Sequence, residues 1–242
     1  MHISDDLYLG PVFRGGPLSD GPSPMSRGIG PMGRVYIFDV VPLTLQANGL
    51  ATSQTPGAAG NLTLTAGTGV TTSVRADGTI QYILDTPRCV TVTAAGANTA
   101  TFTIYGYDQY GQAMSETIAA PSTSTVATDK AFKSVTRIAI SGAAGSAITA
   151  GFNDKFGLPV RVTNAGYIVS VKWNGALAAD AGTFVAADTT SPATTTTNDV
   201  RGCYTPSSAA DGSKRLVVAI AVPAIGCGPN ATRVGALGVD QA

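Results

Sequence analysis

The chain has 242 residues, of which 44% are hydrophobic and only 12% are charged, and its formal net charge at pH 7 is zero. This length suits one large domain or two small ones, while the lack of a basic block argues against nucleic-acid binding. No stretch of about eighteen apolar residues occurs, so the sequence predicts no membrane span. The first residues lack the pattern of a secretory signal, which predicts synthesis and retention in a cytoplasm.

The first 34 residues form a distinct segment rich in proline and glycine. Proline removes a backbone donor and fixes φ, and glycine opposes regular structure, so the segment is not expected to fold alone. Its recurring apolar residues are more than a disordered tail usually carries. We therefore predict an extended arm, residues 1–34, ordered on a partner or a neighbouring subunit, with a flexible tail as the alternative. The predicted partner-binding anchors are Leu7, Leu9, Val12, Phe13, Leu18, Met25, Ile29 and Met32.

The remainder, residues 35–242, is predicted to form one β-sandwich domain, with a subdivision near Pro159 as an open alternative. Its first apolar run predicts a buried strand or a strand at a subunit contact. Asn48-Gly49 then predicts a turn, and Asp77-Gly78 between alternating residues predicts a β-hairpin. Pro87 is expected to end the second strand of that hairpin.

The clearest strand pattern lies between residues 79 and 118. Apolar and small polar residues alternate there in two runs, which is the period of a half-buried strand. Short turn-forming segments separate the runs, and alternation resumes at Met114. The stretch therefore predicts three antiparallel strands joined by short turns.

The last part of the chain shows the same pattern of short strands and turns. Its residues predict further short strands separated by turns and by one long loop, and they show no helical apolar stripe. About ten to twelve short strands without a helix favour an all-β fold, either an antiparallel sandwich or a jelly-roll-like barrel. The predicted strands are 132–140, 159–162, 167–173, 184–185 and 214–222, and the predicted loops are 153–158 and 178–197.

Residues suited to catalysis or metal binding are scarce. The single histidine is His2 and the single glutamate is Glu116. Cys89, Cys203 and Cys227 are too widely spaced for a zinc site, and they are expected to be buried or half-buried free thiols. We predict no catalytic residue, no cofactor and no metal, and therefore no enzyme. A glycoside hydrolase is the least favoured alternative, since it would need two carboxylates facing each other in a cleft.

Tyr105, Tyr107 and Tyr110 cluster near the end of one predicted strand. Sugars stack on such rings, so the cluster is a candidate carbohydrate site. Ordinary packing of the rings on one sheet face, with the hydroxyl groups in water, is the other interpretation.

The segment from Thr101 to Glu116 contains GYDQYGQAMSE, and together with Arg88–Thr93 it resembles a segment of structural proteins in tailed-bacteriophage virions. Asp199–Ser207, followed by Asp211–Ser213, is similar in style. Within that group the chain most resembles a capsid decoration, or cement, protein, a type that carries no active site. The resemblance transfers no catalytic residue.

This resemblance implies a protein on the head surface of a virion, synthesised in the host cytoplasm. Its expected partners are the major capsid protein and further copies of itself, as a dimer or trimer, with neither nucleic acid nor membrane. The alternative function is that of a tail or fibre component that binds host carbohydrate.

Overall fold

The computed structural model describes residues 7–8, 34–188 and 199–222. This part of the chain is built almost entirely from antiparallel strands, which confirms the all-β prediction. Its one helical element is a three-residue 3₁₀ turn, Ala165–Tyr167. The strands are β1 (Leu7–Tyr8), β2 (Arg34–Val40), β3 (Gln46–Gln54), β4 (Gly60–Asn61), β5 (Val70–Val74), β6 (Ile80–Ala94), β7 (Phe102–Tyr107), β8 (Ala113–Ile118), β9 (Thr125–Ile140), β10 (Ile148–Gly157), β11 (Ile168–Trp173), β12 (Thr183–Val185), β13 (Cys203–Thr205) and β14 (Leu216–Val222).

Ten strands form the larger of two sheets. Its main path runs β12-β13-β10-β6-β9-β7-β8, while β3, β4 and β5 pair with β10, β9 and β6 respectively. The sheet curls into a half-barrel. Strands β6, β7 and β8 are the three predicted between residues 79 and 118, but only β7 and β8 form the predicted antiparallel pair, along the whole length of β7. Strand β9 lies between β6 and β7, so these two do not pair and they run parallel.

The smaller sheet has four strands in the order β1-β2-β14-β11. Strand β14 lies between β2 and β11 and is antiparallel to both. At one end of this sheet Arg34 is opposite both Tyr8 and Val222. Three chain segments, those leading into β2 and out of β1 and β14, therefore meet at this end.

Two large hydrophobic cores hold the described part of the fold together, with a small third cluster at Cys89, Ala131 and Cys203. The first lies on the inner face of the larger sheet and includes Val90, Phe102, Ile138 and Phe152. The second lies against the smaller sheet and runs from Phe156 through the segment after β10 to β14. The part of this core that follows β10 begins at Leu158, next to Pro159. The division of the chain into one domain or two stays a prediction.

Several sequence-based boundaries were wrong because two strands are longer than the pattern indicated. Pro87 lies inside β6, not at its end, and the pairing of β6 with β9 shifts register between Ile83 and Arg88, the stretch that contains it. A bulge is where a strand tolerates proline, since no ladder hydrogen bond is required there. Likewise, residues 153–158 are not a loop, because β10 continues to Gly157.

Two of the three predicted turn dipeptides are confirmed and one was wrong. Gly78 (φ +83°) forms the predicted turn between β5 and β6. Asn174 and Gly175 also have positive φ angles, as expected after β11. Asn48-Gly49 was wrong: it lies within β3, where a side chain on Gly49 would come 2.9 Å from the Phe152 ring. The short strand at 184–185 is confirmed as β12, but residues 159–162 form no strand.

No helix in the described part of the chain is both long enough and apolar enough to cross a membrane.

Candidate functional site

The first candidate surface is the edge of the smaller sheet, where the arm returns to the domain. Leu7 is opposite Val35 and Tyr8 is opposite Arg34 in the antiparallel pair of β1 and β2. The arm therefore adds a strand to an otherwise open sheet edge. Of the predicted anchors only Leu7 falls within β1. The other seven lie outside the described residues: Leu9, Val12, Phe13, Leu18, Met25, Ile29 and Met32.

Large apolar side chains are exposed along β2 and in the segment that follows it. Ile37 of β2 is 65% exposed, and Val41, Leu43 and Leu45 follow it in the segment that leads to β3. Val169 of β11, on the far edge of the same sheet, is 62% exposed. Scattered apolar residues are normal on a surface, but four within nine residues form an apolar strip, defined here as Ile37, Val41, Leu43 and Leu45.

Ionic groups are buried between the two cores, and Arg88 lies at their centre with no exposed surface. Its guanidinium donates to Asp85 at 2.8 and 2.5 Å, to Asp154 at 3.1 Å and to the Leu43 carbonyl at 2.6 Å. The rings of one residue from each core, Phe152 and Phe156, lie 5.0 and 4.9 Å from it. This arrangement connects β6, β10 and the segment after β2, so its role is structural.

A second buried group surrounds Glu116 and Lys130. The Glu116 carboxyl accepts the backbone N–H groups of Asp129 and Lys130, both at 2.8 Å, and the Lys130 ammonium donates to the Ser115 carbonyl at 3.0 Å. Burial raises the pKa of Glu116 to about 7 and lowers the pKa of Lys130. Both side chains are enclosed by protein, so neither is placed to meet a substrate.

The two segments that carry the virion-protein resemblance meet in space. Arg201, from the DVRGCYTPS segment, forms a buried ion pair with Asp108 of the GYDQYG turn. The other oxygen of Asp108 accepts the N–H groups of Tyr110 and Gln112, each at 2.8 Å. Asp108 is thus a turn residue, as its sequence context predicts, and also an anchor for a distant segment.

Two cysteines lie side by side in the interior. Cys89 and Cys203 are both buried and unbridged. Their sulfur atoms lie 3.7 and 3.8 Å from the same acceptor, the Asp129 carbonyl oxygen. The hydrogen bond that the Cys203 thiol makes to Cys89, together with burial, raises the pKa of Cys203. Cys227 lies outside the described residues. Within the described part of the chain, no three His, Cys, Asp or Glu side chains are grouped to hold a metal ion.

The second candidate surface is a concavity on the outer face of β7, β8 and β9. It encloses about 470 Å³. Tyr105 and Tyr107 line it because they alternate outwards along β7, while Ile104 and Gly106 point inwards. The remaining described lining residues are Thr79, Gly106, Ala113, Met114, Ser115, Thr136 and Arg137.

A β-bulge shapes the floor of this concavity. Tyr105 is opposite Arg137 but Gly106 is opposite Val135, so Thr136 is the extra residue on β9. The strands approach so closely here that a side chain on Gly106 would overlap the Ser134 carbonyl oxygen. Bulges commonly re-aim side chains beside functional sites, and this one turns Thr136 and Arg137 towards the two tyrosines.

Each tyrosine ring in the concavity carries an arginine. The Arg137 guanidinium lies 3.9 Å from the Tyr105 centroid, and the Arg75 guanidinium lies 4.1 Å from that of Tyr107. Tyr110 does not join them, because its hydroxyl donates to the Pro159 carbonyl at 2.6 Å and Arg201 lies over its ring. The structure thus brings together two of the three predicted tyrosines and adds two arginines that the sequence pattern did not reveal.

No protein-family model matches the chain, and comparison with curated proteins and with solved structures gave no significant match.

Proposed function

We propose that this chain is a non-enzymatic capsid decoration, or cement, protein that binds the outside of a bacteriophage head and stabilises contacts between capsid subunits. The observation that carries the proposal is the pairing of β1 with β2, in which the N-terminal arm adds a strand to a sheet edge. Strand addition to an open edge is a recurrent way for an extended segment to dock on a protein.

The length of the connection supports a clamp between subunits. Residues 9–33 separate β1 from β2, and a chain of this length spans up to about 80 Å when extended. A β1 strand can therefore pair with β2 of its own chain or with β2 of a neighbour through the same contacts. Exchange of an identical element in this way is a low-cost route to a homo-oligomer.

The exposed apolar strip supports contact with protein. It begins on β2 and continues past Val40, at the sheet end opposite the one from which the arm and the C-terminal segment depart. Burying apolar area of this kind against a partner favours association. A chain with only 12% charged residues also loses little solvation of charge when its surface is covered.

The test is binding to shells of the virus that encodes the chain, after their surface proteins have been stripped. The full chain is compared with a variant lacking residues 1–33, which leaves all of β2 in place. A length-matched control replaces Val12, Phe13, Leu18, Met25, Ile29 and Met32 by serine. Sedimentation measures binding, and calorimetry measures the melting temperature of the shell.

We expect the full chain to bind and to raise the melting temperature of the shell, and both altered arms to lose most of that effect. If the full chain does not sediment with shells, the capsid proposal is wrong. If the arm-deleted variant binds and stabilises as well as the full chain, the arm is not the clamp.

A further inference from the structure

The concavity beside Tyr105 and Tyr107 is positively charged, although the whole chain has a net charge of zero. One arginine lies over each tyrosine ring, and no carboxylate is found among the described lining residues. Asp77 approaches Arg75 only to 4.0 Å, with both side chains exposed. Such a contact between exposed groups stabilises little, so most of the positive charge remains available.

Arg137 is the best-placed group to receive an anion. It is exposed, and no carboxylate in the described residues lies within ion-pair distance of its guanidinium. Its position is nevertheless fixed, because the side chain is stacked on Tyr105, its cross-strand partner. A guanidinium held flat presents its N–H donors at the edge, where they match the two oxygens of a carboxylate or sulfate.

The two stacked arginines also change which sugars the tyrosines can recognise. A neutral sugar usually binds on the open face of an aromatic ring, but here a guanidinium lies over each ring. The groups left to a ligand are the guanidinium edges and the Ser115 hydroxyl. The Thr136 hydroxyl donates to the Tyr105 carbonyl at 3.2 Å and so remains available as an acceptor. This combination of cationic and hydroxyl groups suits a sugar that carries both hydroxyls and a negative charge.

A second concavity continues the first and indicates a ligand longer than one sugar. It encloses about 320 Å³ and shares Thr136 and Arg137 with the first. Its other described lining residues are Asn61, Leu62, Leu64, Ile80 and Tyr82. The two form a groove across the outer face of the sheet with Arg137 at its middle, which fits several units of an extended polymer.

We propose that this groove binds an acidic polysaccharide, and that Arg137 and Arg75 pair with its carboxylate or sulfate groups. The capsid proposal does not depend on this groove. Nucleic acid would also supply anions. It fits less well, because affinity for a phosphate backbone comes from many cations along its path, and this groove holds two.

The test uses the isolated full chain and defined oligosaccharides at low and at physiological salt. The probes are a tetramer of galacturonate, a heparin tetrasaccharide, a neutral dextran oligomer and a single-stranded DNA of matched charge, each titrated by calorimetry. Arg137→Gln and Arg75→Gln remove one cation each from the groove. Lys172→Gln removes one from β11 of the smaller sheet and is the matched control. Arg137→Lys keeps the charge but loses the flat, two-pronged donor geometry.

We expect an acidic tetrasaccharide to bind with saturation, more weakly as salt rises, and dextran not to bind. Arg137→Gln should weaken that binding at least tenfold, Arg137→Lys by less, and Lys172→Gln not at all. Tighter binding of galacturonate identifies carboxylate as the preferred anion. Heparin carries both carboxylate and sulfate groups, so tighter binding of heparin shows that sulfate adds to the affinity. Unchanged thermal melting of the exposed Arg137→Gln variant would exclude misfolding as the cause.

Three results would overturn the inference: no binding of either acidic sugar, equal losses from Arg137→Gln and Lys172→Gln, or tighter binding of DNA than of both sugars. The last would assign the groove to nucleic acid. Since no shell is present in these titrations, none of these results bears on capsid binding.

Discussion

The Arg88 guanidinium and the Asp154 carboxylate form an ion pair at 3.1 Å, with the arginine side chain wholly inaccessible to water. Asp154 also accepts the Ala210 N–H at 3.0 Å, and so it joins β10 to the segment that precedes β14. The pair thus links the two halves of the fold where their apolar cores meet.

Loss of Asp154 should therefore be costly. We expect Asp154→Ala to lower the free energy of unfolding by about 3–5 kcal/mol, the usual cost of removing one partner from a buried ion pair. Arg215 and Asp39 form an exposed pair on the smaller sheet, and Arg215→Gln is the control that should leave stability unchanged. Urea unfolding followed by tryptophan fluorescence measures both. A loss below 1 kcal/mol for Asp154→Ala would show that Asp85 alone suffices for Arg88.

Stability should fall as pH rises between about 4.5 and 7, because of Glu116. Burial, the largest influence, raises the pKa of Glu116 from 4.5 to about 7 against the two N–H donors that favour its charged form. Across that range the unfolded chain releases the proton while the folded chain retains it, so each step in pH favours unfolding. The shift corresponds to a loss of roughly 3 kcal/mol, complete above the folded pKa and absent below pH 4.5.

Glu116→Gln is the variant that tests this slope. It cannot ionise, so its unfolding free energy should change much less with pH over the same range than that of the native chain. The glutamine also serves one backbone N–H less well, which adds a constant offset of about 1 kcal/mol. The decisive quantity is the difference in slope between the two proteins. Parallel pH profiles would contradict a raised pKa at Glu116.

The interior thiols should resist modification until the protein unfolds. Cys89 and Cys203 are buried, and the raised pKa of Cys203 reduces its reactive thiolate form. In a Cys227→Ser background, a chromogenic disulfide reagent should label neither thiol in the native protein and both in urea. Labelling within seconds under native conditions would mean that this part of the interior opens readily.

Much of the fold could be predicted from sequence, because one face of most strands is buried and the apolar period shows it. Strands β7 and β8 have this alternation in full. Strand β9 was predicted to begin only at residue 132, and the end of β10 was predicted to be a loop, because Lys130 and Asp154 interrupt the apolar pattern. A polar residue in a sequence suggests a surface, whereas here each charge is buried against other charged or polar groups.

The candidate groove could be predicted only in part. Alternation along β7 indicates that Tyr105 and Tyr107 share a face, and the structure agrees. Arg137 is far from them in sequence and is brought opposite Tyr105 by pairing of β7 with β9. The bulge at Thr136 sets that register, and no local residue pattern marks it. The ion pair between Arg201 and Asp108 was missed for the same reason, since it depends on the tertiary fold.

Gly106 should be essential to the groove. A Cβ atom there would overlap the Ser134 carbonyl oxygen and come within 3.0 Å of the Phe132 ring, so Gly106→Ala must separate β7 from β9. We expect a loss of stability of at least 2 kcal/mol, in the range of overpacked cores, together with weaker binding of the acidic tetrasaccharide. Gly57→Ala is the control, since nothing lies within 4 Å of its added atom. Native-like melting of Gly106→Ala would refute the close approach of the two strands.

The arm should be exchangeable between copies of the chain, which a designed disulfide can reveal. Leu7 and Val35 are cross-strand partners, so a Leu7→Cys, Val35→Cys variant in the Cys227→Ser background should oxidise readily. A bridge within one chain migrates as a monomer on a non-reducing gel, and a bridge made by exchange migrates as a dimer or higher ladder. We expect a covalent oligomer whose fraction rises with protein concentration during refolding. A Leu7→Cys, Val169→Cys variant is the control, because Val169 lies on the opposite edge of the sheet in β11. A purely monomeric bridge at every concentration would restrict the arm to its own chain and remove the structural basis proposed for the clamp.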